Sequence, residues 1–208
     1  DKAGVVIDST KSNTLDKMRV TYGTVSISNG ELTIDSLAMD NGAIELAHEN
    51  AILALRQSPS SDGSIVGKNN SISGKGTLKL LNDTSISFGG GTDGTIKYLG
   101  GLNIGTGTAS ITSGTTLGSV KFSSAGGTLN IADGATLTLS DADGVSCTRS
   151  DNCRIQTGAN KLVGKGTLNL VNGDGSSFGG ETNIAAINFG AANGTMTFDY
   201  SGTSKVET

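Results

Sequence analysis

Apolar residues recur along this chain as pairs separated by a single residue, as in Val25-Ser26-Ile27, Leu78-Lys79-Leu80 and Leu168-Asn169-Leu170. A period of two sends one side chain into a core and the next one out, which is the pattern of a half-buried strand. The pairs are short and are spaced by Gly-containing turns. Ile96/Tyr98 precede Leu102/Ile104, Val120/Phe122 precede Leu129/Ile131, and Ile187/Phe189 precede Met196/Phe198. The pattern predicts many brief strands and almost no helix.

A duplication underlies these units. Gly74-Lys-Gly-Thr-Leu-Lys-Leu-Leu-Asn82 returns as Gly164-Lys-Gly-Thr-Leu-Asn-Leu-Val-Asn172, an offset of 164 − 74 = 90 residues. Phe88-Gly-Gly and Thr92 return as Phe178-Gly-Gly and Thr182, and Ile65, Asn70 and Ile72 map onto Ile155, Asn160 and Leu162. Further upstream Ile44, Leu46, Leu53 and Leu55 fall on Leu129, Ile131, Leu137 and Leu139, so the repeated blocks cover about 42–98 and 127–189. The duplication resolves one ambiguity. Residues 43–55 (AIELAHENAILAL) have the propensity of a short amphipathic helix, but their counterpart 128–139 (TLNIADGATLTL) is a strand, an Asp-Gly turn and a strand. Both copies are therefore read as β.

Strands this short cannot bury their apolar faces alone. Coiled so that each stacks on the next, they share one continuous core and satisfy each other's backbone groups. The expectation is a single elongated domain over 1–208, all-β, built as a parallel β-helix. A β-sandwich also uses many short strands, but tandem similarity without an immunoglobulin-like cysteine and tryptophan pattern argues against one.

Composition fits a solenoid. The 208 residues include 32 Gly, one Pro and no Trp, without the three-residue period of collagen. The formal charge is −4, and the basic residues are scattered, which disfavours a nucleic-acid partner. No apolar stretch approaches the roughly 20 residues of a membrane-spanning helix. The chain opens at Asp1 without a signal peptide and reads as a processed or trimmed fragment. Cys147 and Cys153 close a small loop; their spacing favours a structural disulfide and an oxidising compartment over two free thiols.

At Gly164-Lys-Gly-Thr-Leu-Asn-Leu, followed by Phe178-Gly-Gly-Glu-Thr-Asn-Ile184, the chain resembles the β-strand repeat of autotransporter passenger domains. The copy from Gly74 matches the first half of that repeat and departs from its register after Thr92. The resemblance implies a right-handed parallel β-helix exported through the outer membrane and displayed on, or released from, a bacterial cell surface. It implies an adhesin whose partner is a host-cell or matrix protein or glycan, with membrane attachment only through a translocator domain that this sequence does not contain.

Catalytic chemistry is sparse. Parallel β-helices also carry polysaccharide hydrolases and lyases, and a glycosidase needs two carboxylates about 5–9.5 Å apart. The densest acidic sequence, Asp141-Ala-Asp143-Gly144 with Asp174 beyond it, reads better as turn residues. The only histidine, His48, lies in a polar turn whose counterpart is Asp133-Gly134, and no Ser-His-Asp or Cys-His set can be assembled. No catalytic residue, metal site or cofactor is expected. Lys75 and Lys165 recur between glycines and could hold an anion, though an exposed solubilising role is the simpler reading.

The two copies differ most between Leu55 and Ile65, where residues 56–64 intervene, and between Leu139 and Ile155, where 140–154 do. An element that accepts six extra residues while its flanking strands keep register must project outward. These segments, with Arg56, Pro59, Asp62, Asp141, Asp143, Arg149, Asp151 and Arg154, are the candidate binding loops, expected on one side of the rod. A hydrolase or lyase, or a spacer that binds nothing, are the alternative functions.

Overall fold

The computed structural model describes residues 4–8, 10–57, 69–88, 95–123, 126–140, 145–146, 160–171, 174–178, 181–189 and 195–198. Nineteen strands, from Gly4–Asp8 to Thr195–Phe198, and no helix occupy them. Every strand pairing among the described residues is parallel. In the main sheet nine strands follow one another: Gly4–Asp8, Thr24–Asp40, Ala43–Leu46, Ser71–Leu80, Thr95–Ile104, Thr115–Phe122, Thr136–Leu139, Thr167–Leu170 and Ala186–Phe189. A second sheet stacks Ile86–Phe88, Thr108–Ile111, Thr128–Ile131, Lys161–Gly164 and Glu181–Asn183. The strands up to Ser71–Leu80 all belong to the main sheet, and from Ile86 onward the chain passes repeatedly between the two sheets; each return pairs with the layer before it, which makes a parallel β-solenoid.

The ambiguous stretch 43–55 is β, as the duplication required. It forms strands Ala43–Leu46 and Ala51–Leu55, with a turn between them closed by the Ala51 N–H donating to the His48 carbonyl at 2.9 Å.

Register turns the alternating pattern into ladders. Leu32, Leu53, Leu78, Leu102 and Val120 pair in succession, and two residues on so do Ile34, Leu55, Leu80, Ile104 and Phe122. All ten are buried. Each layer thus places a large apolar side chain on its like in the layer below, and each such burial is worth about 1.5–3 kcal/mol.

The repeated Gly-Lys-Gly is a corner. Gly74 and Gly164 have φ of 119° and 118°, a region that side chains disfavour. Each also lies against the layer below. A Cβ on Gly74 would collide with the Leu46 carbonyl, and one on Gly164 with the Ile131 carbonyl. The glycine two residues later in each copy is equally confined, Gly76 by the Ala51 carbonyl and Gly166 by the Ala132 carbonyl. The lysine between them is exposed.

A second corner device is also duplicated. Asn70 and Asn160, at 4% and 1% exposure, are among the few buried polar residues. The Asn70 Oδ1 accepts from the Gly42 N–H at 3.1 Å, and the Asn160 Oδ1 accepts from the Gly127 N–H at 3.0 Å. The Asn70 Nδ2 donates to the Met39 carbonyl at 3.0 Å. Each asparagine therefore supplies the hydrogen bond that a ladder cannot supply where the chain turns.

The two copies do not occupy the same rows. Strand Thr115–Phe122 shows the shift, because Val120 pairs with Leu102 in the row of Leu78, whereas Thr115 pairs with Leu137 in the row of Leu168. In the same strand Phe122 belongs to the row of Leu55 and Leu117 to the row of Leu139. The duplicated unit does not contain a whole number of coils. Leu55 and Leu139, the residues that precede the two segments of unequal length, therefore sit in different rows.

Candidate functional site

Of the expected loop residues, Arg56 is described. It is exposed, and its guanidinium donates to Asp35 Oδ1 at 3.2 Å, a surface pair of small energetic weight. Pro59, Asp62, Asp141, Asp143, Arg149, Asp151, Arg154 and the cysteines Cys147 and Cys153 lie outside the described residues.

A concavity among the described residues lies elsewhere, on the outward face of strands Ala51–Leu55, Ser71–Leu80, Thr95–Ile104 and Thr115–Phe122. It is a groove of about 600 Å³ lined by Ile52, Thr77, Gly101 and Ser119 along one outward row and by Lys79, Asn103 and Lys121 along the next. Register explains why these meet. Ile52, Thr77, Gly101 and Ser119 pair in succession, and Ala54, Lys79, Asn103 and Lys121 do the same two residues on. Lys75, Tyr98 and Gly100 at the corner, with Glu49 from the preceding turn, complete the wall.

The groove exists because one side chain is missing. In its row the side chains are Ile, Thr, none and Ser. Gly100 has an evident structural cause, since its Cβ would strike the Lys75 carbonyl. Gly101 is confined less. Its nearest obstacle is a side chain and not backbone, Thr77, with Oγ1 2.9 Å from where a Cβ would stand. A glycine inside a strand costs stability and often marks the close approach of a ligand.

Electrostatically the groove gathers three lysines and one carboxylate. Lys79 is held by Glu31, with Nζ 3.4 Å from Oε2. Lys75 and Lys121 are exposed and have no ion-pair partner among the described residues. The Asn103 Oδ1 is buried without a hydrogen-bond partner, an arrangement that costs about 1–3 kcal/mol when nothing satisfies it. Tyr98 is 38% exposed and lines the groove.

His48 is exposed in its turn. It lines a second, smaller depression with Asp8, Ser28, Asn29, Glu49, Asn50 and Lys75, adjoining the groove through Glu49 and Lys75. Among the described residues no three of His, Cys, Asp and Glu converge as metal ligands would.

Of the groove's residues the sequence singled out Lys75 as a possible anion ligand, and the structure places it at the rim. Lys79, Asn103 and Lys121 were missed. They lie 24 and 18 residues apart, and only the register of uneven coils shows that they stack. Comparisons with protein-family models, with curated proteins and with solved structures find no match to this chain.

Proposed function

We propose that this chain is part of the passenger of a bacterial autotransporter, displayed at the cell surface or released from it, and that it acts as an adhesin toward a host-cell or matrix component. The observation that carries the reading is the repeated Gly-Lys-Gly-Thr-Leu corner. In both copies its first glycine has nearly the same positive φ and lies against a carbonyl of the layer below, and it is the motif that resembles the passenger repeat. Right-handed winding belongs to the same proposal.

Binding is favoured over hydrolysis by the makeup of the groove. It presents lysines, an asparagine and a tyrosine around the single carboxylate of Glu49, whereas glycoside hydrolysis calls for two facing carboxylates. A solenoid also suits the role, because a stack of coils keeps an outward face rigid along its length.

The test is adhesion. Beads coated with the purified chain should bind cultured epithelial cells, or immobilised matrix, well above beads coated with an unrelated β-solenoid. Equal retention of both kinds of bead would overturn the adhesin reading and leave a spacer.

A further inference from the structure

We infer that the outward groove between Ile52 and Lys121 is a binding site for an acidic oligosaccharide, one that carries carboxylate or sulfate groups. The inference rests on the adhesin reading only for its biological setting; the chemistry stands on the groove itself.

Four observations converge. The volume of about 600 Å³ lies within the range of small-ligand sites. Lys75 and Lys121 have no ion-pair partner among the described residues, and Lys79 brings a third cation partly balanced by Glu31, against the one lining carboxylate of Glu49, in a chain whose overall charge is −4. A local excess of positive charge on an acidic molecule attracts anions to that place. Lys79 and Lys121 are two layers apart in register, or about 10 Å at the strand spacing, so they can meet charges on successive sugars of one chain.

The remaining groups suit a sugar better than a bare anion. Asn103 keeps an acceptor without a donor, and rotation of its amide presents an acceptor or a donor to a ring hydroxyl. Thr77 and Ser119 add hydroxyls, and Tyr98 offers an aromatic face to the C–H side of a pyranose. Gly101 removes the one side chain that would stand in the path of the ring.

The experiment is calorimetric titration of the whole chain with three hexasaccharides: a heparin fragment, an oligogalacturonate and neutral chitohexaose. At least one acidic ligand should bind with an affinity that falls as salt rises, while the neutral one should not bind. Lys75→Gln with Lys121→Gln should weaken that binding about tenfold or more, as loss of about 1.4 kcal/mol implies. Gly101→Val should abolish it by filling the groove, with circular dichroism and melting temperature close to those of the parent. Failure of both acidic ligands to bind, equal binding of the neutral one, or full binding by both variants would overturn the proposal.

The two readings can fail separately. Cell adhesion that persists in a Gly101→Val chain that has lost oligosaccharide binding would place adhesion elsewhere and overturn the groove as the adhesive site. Oligosaccharide binding by a chain that does not adhere to cells would overturn the adhesin reading and leave the groove.

Discussion

Replacing Gly74 with alanine should lower the melting temperature sharply. The φ of 119° alone costs a side-chain-bearing residue about 1–3 kcal/mol. The added Cβ must also displace the backbone carbonyl of Leu46, which is held within the stack. Backbone cannot swing aside as a side-chain tip can, so the total should exceed the conformational term. Gly164→Ala should behave alike, because its φ of 118° and its contact with the Ile131 carbonyl repeat the arrangement. Gly114→Ala is the control. Nothing lies within 4 Å of its would-be Cβ, so this change should be neutral, or stabilising by up to about 1 kcal/mol through the unfolded state. Chemical denaturation of the three variants decides the matter. A Gly74→Ala chain as stable as Gly114→Ala would show that the corner is not confined as described.

Asn70→Ala should have the next largest effect. The side chain is 4% exposed and bonds the Gly42 N–H and the Met39 carbonyl, which turn away from their ladders at that corner. Alanine leaves both buried and unpaired, at about 1–3 kcal/mol apiece. The neighbouring Asn69 is exposed and bonds only the side chain of Asn41, so Asn69→Ala should change stability by less than about 0.5 kcal/mol. A solenoid couples mainly to its nearest layers. Hydrogen exchange in Asn70→Ala should therefore rise first in strands Ala43–Leu46 and Ser71–Leu80, and less in Thr167–Leu170. Uniform loss of protection would mean the stack melts as one unit and would contradict that picture.

The same two corners show what could be read in the sequence. The strands were legible because apolar alternation reports which side chains face a core, and the doubtful 43–55 segment was settled by its duplicate. Asn70 and Asn160 were visible as a matched pair, but their role was not, since a buried polar residue is recognised by its partners and those lie 28 and 33 residues away. The row in which a residue sits was not legible, because it depends on counting residues around a coil. Leu55 and Leu139 correspond in sequence yet sit in the rows of Phe122 and Leu117. The groove was hidden for the same reason. Lys79, Asn103 and Lys121 share no motif, and the notch at Gly101 looks like any other glycine until the Ile52, Thr77 and Ser119 positions are set beside it.

The central claim is parallel stacking in this register, and engineered disulfides test it most directly. In a background with Cys147→Ser and Cys153→Ser, cysteines would replace Ser110 and Asn130, which pair in adjacent layers of the second sheet. Their Cα atoms should stand about 5 Å apart, within disulfide reach. A second chain would carry cysteines at Ser110 and Thr128, the latter paired with Thr108, where the diagonal separation of about 8 Å is too long to bridge. Mass spectrometry after mild oxidation should find the bond in the first chain and free thiols in the second. Free thiols in the first chain, or a bond in the second, would contradict the stacked solenoid described here.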